Sequence, residues 1–182
     1  MNRSFCRLAI FCALAFSPLL ADAKLANPAD ASASFRAIGP RGFRIEGRSN
    51  QVGVADDGNW VTISVQLTQL TTGIALRDKH MREKYLETEK YPTAELLVPR
   101  WALRFPEEGK RMSAWAMGTL KMHGKTKEVK VFYKAGRVGG TVDVDGSTEV
   151  NLNDFGIEVP SHLGLSLKPD VAIEVHFQAQ DA

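Results

Sequence analysis

Cysteine is almost absent from this sequence. Its two cysteines, Cys6 and Cys12, both stand within the first 12 of 182 residues. The chain beyond them can form no disulfide, has no cysteine nucleophile and offers no thiolate to a metal ion. Thiol redox chemistry and cysteine-ligated zinc are therefore excluded for that part of the chain.

An excess of charge of one sign is also missing. The sequence has 23 Lys and Arg residues against 21 Asp and Glu residues, a formal net charge of +2. A chain this close to neutrality lacks the basic excess with which proteins neutralise nucleic-acid phosphates. We therefore expect no nucleic-acid partner.

Long apolar runs are missing after the N-terminus. The one such run, Leu8 to Leu20, follows Arg3 and Arg7 and ends at a small-residue triplet, positions 21–23. It is too short to cross a bilayer as a helix, and its flanks are those of a cleavable secretory signal. We predict a signal peptide over residues 1–23, export, and a periplasmic location.

The residues after this signal divide into two parts. Residues 24–34, KLANPADASAS, are small and polar and lack periodicity, which is typical of a flexible leader. Residues 35–180 are long enough for one domain with its own core but short for two. We predict a single domain over that range.

Histidine is scarce, and the chemistry-bearing motifs are incomplete. The four histidines, at positions 80, 123, 162 and 176, lack the spacing of a zinc site. The stretch GTLKMHGKT places five residues between its glycines, where a phosphate loop needs four. We expect no catalytic residue, no metal, no cofactor and no enzymatic activity.

A second stretch, TVDVDGSTEVNL, begins like a calcium-binding loop. However, Thr141 stands at the first ligand position, and Leu152 stands where the loop requires a glutamate. We interpret Asp145-Gly146 within this stretch as a hairpin turn.

Alternating hydrophobicity is what the sequence has in abundance. From Val61 to Thr68 apolar and polar residues alternate, and residues 171–178 repeat the pattern. This alternation predicts strands with one buried face and one wet face, and the short turns between them favour an antiparallel barrel. The other predicted strands are Ser34–Ile38, Phe43–Val54, Ala94–Phe105, Met112–His123, Glu128–Lys134 and Val138–Leu152, about eight strands in all.

One segment, residues 77–91, interrupts this alternation. Asp78 and Arg82 stand at the spacing of a helical ion pair, and Met81 and Tyr85 begin an apolar stripe. We predict a short helical insertion that lies near one barrel mouth.

The insertion starts with four consecutive polar residues, Arg77 to His80. Consecutive helical residues point about 100° apart, so these side chains cannot converge on one substrate. We therefore interpret Asp78 as an N-terminal cap with solvated neighbours and expect no catalysis from His80.

The inward-facing side chains of the predicted barrel are apolar. An eight-stranded barrel is about wide enough either to fill itself with side chains or to hold one ligand. The pattern alone leaves a packed core and a cavity as open alternatives. The candidate lumen residues are Phe43, Ile45, Ile63, Val65, Leu67, Leu120, Met122, Val129, Val131, Tyr133, Ile173 and Val175.

Three blocks stand out by their order and spacing: LTQLTTGIALRDKHMREKYLETEKYPTAEL, GTLKMHGKTKEV and NDFGIEV. Together they resemble the YceI-like family of exported proteins, and the resemblance covers roughly residues 35–180. It implies a lipocalin-like barrel whose lumen takes a long apolar chain, a polyisoprenoid in the members that give the family its description. The helical insertion then has no catalytic role.

The resemblance implies a lipid-binding protein that holds a long-chain isoprenoid or similar amphiphile for sequestration or transport. Arg77, His80 and Lys84 at the mouth would then meet the polar head group. Transient membrane contact and a homodimer are compatible with this role. The alternative is a periplasmic, stress-related interaction protein with a filled core, for which Trp115 and Met117 on the outer face would be the contact patch.

Overall fold

The computed structural model describes residues 25–162 and 165–181, and the predicted signal peptide, residues 1–23, lies outside them. In chain order its elements are β1 (Leu25–Ile38), β2 (Arg44–Ser49), β3 (Val52–Asp56), β4 (Trp60–Gln66), α1 (Ala75–His80), a π-helical turn (Met81–Tyr85), β5 (Thr93–Pro99), β6 (Arg111–Met122), β7 (Lys125–Val138), β8 (Thr141–Asn151), β9 (Ser161–His162), β10 (Leu165–Ser166) and β11 (Asp170–Asp181).

Nine of these strands form one antiparallel sheet, in the order β2-β1-β11-β8-β7-β6-β5-β4-β3. Burial alternates along its strands; in β7, for example, Val131 and Tyr133 are buried while Lys130 and Lys134 are exposed. The apolar sides therefore face one shared interior. The prediction of an all-β antiparallel barrel is confirmed, with nine strands rather than eight in the described part of the sheet.

The additional strand arises where the barrel closes. The run predicted as one strand, Phe43–Val54, is interrupted at residues 50–51, where the Ser49 hydroxyl accepts a hydrogen bond of 3.1 Å from the Gln51 amide. Before the interruption β2 pairs with β1, and after it β3 pairs with β4. One stretch of chain thus serves both edges of the sheet, which leaves the barrel nearly closed.

The expected flexible leader over residues 24–34 is corrected by the structure. Residues 25–34 form the first part of β1 and pair with β11, from Leu25 opposite Asp181 onward. The pairing register shifts between Ala26 and Ala29 and again between Ala29 and Ser32. These irregularities break the period of two, which is why the sequence shows no alternation there.

The expected hairpin turn at Asp145-Gly146 is also wrong. Both residues lie inside β8, where Gly146 pairs with Tyr133 on one side and Val175 on the other. The turn lies earlier, between β7 and β8, where Gly139 and Gly140 adopt positive φ angles of 61° and 74°. Two strand partners override the local turn preference of the Asp-Gly pair.

The predicted helix is shorter than expected but lies in the expected place. It begins at Ala75 and continues as one π-helical turn, closed by a 2.8 Å hydrogen bond from the Leu86 amide to the Met81 carbonyl. Turns then lead through Tyr91 into β5. We call residues 75–91 the cover segment. Throughout the described residues, helices fall short of the length and apolarity that crossing a membrane would require.

Buried side chains gather in two clusters towards opposite ends of the barrel. Leu25, at the start of β1, belongs to one cluster together with Phe177. Ala37, near the end of β1, belongs to the other together with Phe155. The cover segment lies at the second end, because it connects the end of β4 to the start of β5.

Candidate functional site: an apolar cavity with a basic mouth

The barrel interior is hollow. It contains a cavity of about 930 Å³, which is near the upper limit of ordinary small-molecule pockets, about 1,000 Å³. Of the two alternatives that the sequence pattern allowed, a packed core and a cavity, the structure therefore shows the cavity. The predicted lumen residues that line it are Phe43, Ile45, Ile63, Val65, Leu67, Leu120, Met122, Val131, Tyr133, Ile173 and Val175.

Val129, the remaining predicted lumen residue, does not line the cavity. It faces inward on β7 but is buried among the side chains that include Phe155 and Ile157. The parity of Val129 was predictable from the alternation along the strand. Its distance from the void was not, because the short 3₁₀ turn Leu152–Phe155 fills that end of the barrel.

Gly146 widens the cavity wall. It occupies an inward position of β8 between Val144 and Thr148, and all three residues line the cavity. A Cβ atom built at Gly146 would find no atom of another element nearer than the Val175 carbonyl oxygen, at 3.9 Å. The absence of a side chain here therefore leaves free volume in the lumen.

The cavity opens at a mouth between two rim elements. One is the turn Pro40–Gly42 with Phe43 after it, and the other is α1. Phe43, Ile74 and Leu76 line the cavity although 58%, 54% and 65% of their surfaces are exposed. Ile74 and Leu76 were missed by sequence reasoning, which treated the start of the insertion as polar.

The seam below this mouth is closed by a single bridge. Arg48 of β2 and Thr71 exchange two backbone hydrogen bonds, of 2.9 and 3.0 Å. Among the described residues, this is the only pairing of β2 apart from its ladder with β1. The pairing along this seam therefore ends at Arg48. The residues of β2 that precede Arg48 in the chain border the mouth.

Two of the three predicted head-group residues lie at this mouth. Arg77 and His80 line the cavity. Lys84 does not, and its prediction as a mouth residue is corrected: its Nζ donates to Glu158 over 3.2 Å, and this contact raises the pKa of Lys84. Glu158 is 74 residues away in sequence, so no local pattern predicted the pair.

The prediction that Asp78 is the N-terminal cap of the helix is wrong. Asp78 is instead buried within α1, which begins at Ala75. Its carboxylate accepts hydrogen bonds from the Thr71 hydroxyl, the Thr72 hydroxyl and the Thr72 amide. Burial alone would raise the pKa of Asp78, but these bonds and the charge of Arg82 outweigh it, so the pKa lies below its usual value. Asp78 thereby fixes α1 to the loop before it.

The other end of the cover segment is fixed by His123. Its Nδ1 lies 3.1 Å from the Phe155 carbonyl oxygen, and its Nε2 lies 2.9 Å from the Glu87 carboxylate. The Tyr91 ring packs against it with centroids 4.7 Å apart. The hydrogen bond from Lys90 contributes most to lowering the pKa of Glu87, and the hydrogen bond with His123 contributes next. The cover segment is thus held near its start by Asp78 and near its end by Glu87.

The described part of the cavity lining carries few ionisable side chains. Its ionisable lining residues in the described chain are Arg41, Arg77, His80, Tyr85 and Tyr133, without a carboxylate among them. The Tyr133 hydroxyl is already engaged with the backbone of Arg104, at 2.7 and 3.1 Å. The arrangement can bury an apolar molecule and hold a polar group at the mouth.

One further polar cluster lies outside the cavity. Asp143, Asp145 and His176 place one ligand-type atom each within 4.8 Å of the others. His176 and Asp145 are opposite each other on β11 and β8, with 2.9 Å between Nδ1 and Oδ1. Sequence spacing could not predict this convergence. These side chains do not line the cavity.

The model of the YceI-like domain matches residues 26–179 of the sequence. The chain belongs to the YceI-like family. This confirms the family resemblance that the sequence blocks indicated. It also extends the family match to the start of β1, which the sequence had suggested was a leader.

Curated proteins are similar to this chain in sequence. A UPF0312 protein of Pseudomonas savastanoi pv. phaseolicola is 30% identical over 121 residues, 63% of this chain and 60% of the relative. A UPF0312 protein of Pseudomonas putida strain GB-1 matches over the same shares with the same identity. The matches thus span 60% of the length of these relatives.

Solved structures share the YceI-like fold. A polyisoprenoid binding domain from Saccharophagus degradans, implicated in plant cell wall breakdown, has a TM-score of 0.72 at 16% identity, covering 87% of this chain and 98% of its own. Burkholderia cenocepacia BcnA gives 0.63 at 17% identity, covering 81% and 96%. A Campylobacter jejuni YceI protein gives 0.59 at 14% identity, covering 76% and 85%. At these identities the likeness concerns the fold.

Proposed function

We propose that this YceI-like protein binds an amphiphile with a long hydrocarbon tail in its barrel and sequesters or transports it without chemical conversion. The observation that carries the proposal is the apolar cavity of about 930 Å³, whose mouth is bordered by the exposed apolar side chains of Phe43, Ile74 and Leu76. Each methylene removed from water contributes about 0.8 kcal/mol. A long tail therefore gains enough to offset the ordering of ligand and protein.

The tail is proposed to be a long-chain isoprenoid. This supposition rests on the fold shared with the Saccharophagus degradans domain, which is described as polyisoprenoid binding. The cavity lining is dominated by Leu, Ile, Val and Phe side chains, which suit a branched hydrocarbon chain. The shape and apolarity of the cavity support a ligand with a long hydrocarbon tail. The apolar residues at the mouth support entry of the ligand with its tail first.

The proposed place of action is the periplasm, after removal of residues 1–23. Leu25 is buried as the first residue of β1, so cleavage after Ala23 leaves every described residue of the barrel intact. Protein recovered from the periplasmic fraction is expected to begin at or near Lys24. N-terminal sequencing checks this, and recovery of chains that still begin with Met1 would contradict it.

The exposed patch on the outer wall supports a second candidate function, contact with another protein. Trp115 and Met117 are 59% and 52% exposed. Trp115 packs on Phe132 with ring centroids 5.0 Å apart, and the Lys130 Nζ lies 4.5 Å from the Trp115 ring centroid. This patch is compatible with a ligand in the cavity, so the two functions do not compete.

The proposed function is tested by asking whether a lipid accompanies the protein. Protein purified from the periplasm without detergent is extracted with organic solvent, and the extract is analysed by mass spectrometry. A second periplasmic protein of similar size, taken through the same steps, reports lipid carried over by chance. A long-tailed amphiphile found with this protein alone is the expected result.

A further inference from the structure

We propose that the rim of the mouth docks on an anionic lipid bilayer, so that the ligand passes between membrane and barrel without crossing water. The docking surface combines the exposed apolar side chains of Phe43, Ile74 and Leu76 with the exposed basic side chains of Arg44 and Lys79. We call these five residues the rim patch. This docking rests on the proposed function, since it concerns the source of the same amphiphile, and it goes further by assigning a lipid surface as the partner.

The apolar part of the rim patch borders the entrance of the cavity. Phe43, Ile74 and Leu76 are each more than half exposed, and all three also line the cavity. Large apolar side chains that are exposed together mark a contact surface. They stand on two separate rim elements with the entrance between them. A fluid bilayer conforms to both elements and brings hydrocarbon tails to the entrance, which a rigid protein face does not.

The turn before β2 presents Phe43 at the surface. Arg41 and Gly42 both adopt left-handed backbone conformations, with φ angles of 56° and 78°. The Gly39 amide donates to the Phe43 carbonyl over 2.6 Å. A residue other than glycine at positive φ is uncommon, and such strain persists only where the surrounding structure maintains it. The exposure of Phe43 is therefore set by a fixed turn.

Asp78 fixes the exposed face of α1. Its buried carboxylate accepts hydrogen bonds from Thr71 and Thr72 in the preceding loop. Residues two apart on a helix point to nearly opposite sides, so these bonds direct Leu76 away from that loop. Lys79 follows Leu76 by three residues and lies beside it on the helix surface. An apolar side chain next to a basic one is typical of segments that lie on anionic membranes.

The charge around the rim patch fits an anionic bilayer. The two rim segments, residues 39–48 and 71–84, contain seven Lys and Arg residues against three Asp and Glu residues, in a chain whose net charge is only +2. One of these carboxylates, that of Asp78, is buried. Arg44 and Lys79 are exposed and make no hydrogen bond or ion pair with another described residue. Their charges are therefore available to anionic lipid head groups, which attract basic side chains.

The ligand also needs a dry path into the barrel. A long-tailed amphiphile that left its membrane through water would expose every methylene of its tail, which is unfavourable. Docking removes that exposure, because the apolar side chains of the rim patch join the hydrocarbon of the bilayer to the lining of the cavity. Docking therefore governs the transfer of the ligand, whereas the cavity governs its affinity.

Vesicle flotation tests the proposed docking. Delipidated protein is mixed with vesicles of phosphatidylcholine, prepared with or without phosphatidylglycerol, and the bound fraction is measured after centrifugation. We expect binding to the vesicles with phosphatidylglycerol to be at least about tenfold tighter than binding to those without it. Added salt should weaken this preference, because it screens exposed charges.

The charge variant combines Arg44→Gln with Lys79→Gln, at two positions that do not line the cavity. It is expected to bind anionic vesicles at least about tenfold more weakly, since each basic side chain near an anionic surface contributes about fivefold. Displacement of an apolar fluorophore by geranylgeraniol, measured without vesicles, should stay unchanged. Arg111→Gln with Lys134→Gln, exposed on the outer faces of β6 and β7, is the matched control and should change neither result.

The apolar variant combines Phe43→Ser with Leu76→Ser. It should bind both kinds of vesicle at least about tenfold more weakly, because it removes apolar area that the bilayer would cover. Trp115→Ser with Met117→Ser is its control, since these side chains are similarly exposed but lie on the outer wall. The control should bind vesicles as the wild type does. An equal loss in both pairs would overturn the rim patch as the docking surface.

The outcomes separate docking from ligand binding. If wild-type protein does not float with anionic vesicles while geranylgeraniol still displaces the fluorophore, membrane docking is overturned and the proposed function stands. Vesicle binding that persists in both rim variants would overturn the assigned residues. Failure of geranylgeraniol to displace the fluorophore would overturn the proposed function itself.

Discussion

Replacing Gly146 with phenylalanine is expected to empty the barrel of its ligand without unfolding the protein. Gly146 faces the cavity, and the nearest atom of another element to a Cβ at this position is 3.9 Å away. Gly146 lies within β8, and its φ is not among the positive values. An aromatic side chain therefore suits the strand and can enter the free volume that the ligand tail would occupy.

A hollow barrel and a filled one respond in opposite ways to this change. In a filled core the added ring would overpack the interior and cost about 1–3 kcal/mol. In the hollow barrel the melting temperature of delipidated protein should hold or rise, while bound lipid falls by most of its wild-type amount. The two readouts are thermal unfolding of delipidated protein and lipid quantification in protein that was never delipidated.

Glu149→Phe is the control for Gly146→Phe. Glu149 lies on the same strand and is exposed on the outer face, so the same ring is added outside the cavity. It should leave the lipid content at the wild-type level. A clear fall in the melting temperature of delipidated Gly146→Phe, with its lipid content unchanged, would show that the tail does not occupy this volume.

Replacing Asp78 with alanine is expected to give the largest loss of stability among substitutions in the cover segment. The change leaves the Thr71 and Thr72 hydroxyls and the Thr72 amide without their shared acceptor. Hydrogen bonds to a charged group contribute about 1.5–3 kcal/mol, and Thr71 is exposed enough for water to replace part of this. We expect a loss of about 2 kcal/mol by denaturant unfolding. Asp78→Asn, which keeps the shape, should lose less.

This contribution of Asp78 depends on pH in a defined direction. The pKa of Asp78 is lowered in the folded protein, so the fold favours the ionised carboxylate. Its stabilisation is fully present above the unfolded pKa of about 4 and is lost as the pH falls through the folded value. The stability difference between wild type and Asp78→Asn should therefore be constant near neutral pH and shrink below about pH 4.

Hydrogen exchange locates the effect of the Asp78 variants. Amides of α1 should exchange faster in Asp78→Ala than in the wild type. The exchange rates of the β7 and β8 amides should change only by the amount that the lower global free energy of unfolding accounts for. Bound ligand should also dissociate faster, because α1 forms one rim of the mouth. Uniform destabilisation with unchanged ligand dissociation would mean that Asp78 does not hold the cover segment at the mouth.

The strands and their inward faces were predictable because alternation is a local property of the sequence. The family blocks then indicated the barrel and the place of the insertion. Pairings across the barrel were not predictable locally. The break at residues 50–51, which gives one stretch of chain two strand partners, depends on how the sheet edges meet. At the start of β1 the pairing register shifts, so the sequence lacks the alternation by which this part of the strand could have been predicted.

The candidate site was predictable in its walls but less so at its ends. The alternation of inward and outward residues identified lining side chains on five strands, β2, β4, β6, β7 and β11. It failed for Val129, because alternation does not indicate how far along the barrel a residue lies. Arg77 and His80 were identified, whereas Lys84 pairs outside the mouth with a distant glutamate. Arg41, which lines the cavity from the turn Pro40–Gly42, was missed because its left-handed backbone leaves no signature in the turn sequence.

The central claim is that the barrel holds a long-tailed amphiphile, and mass spectrometry of the organic extract tests it most directly. From wild-type protein isolated without detergent, the account predicts one dominant long-tailed amphiphile in a molar amount approaching that of the protein, reduced in Gly146→Phe and retained in Glu149→Phe. A lipid-free extract from folded wild-type protein, or traces of mixed lipids equal in all three samples and in the unrelated periplasmic protein, would contradict it.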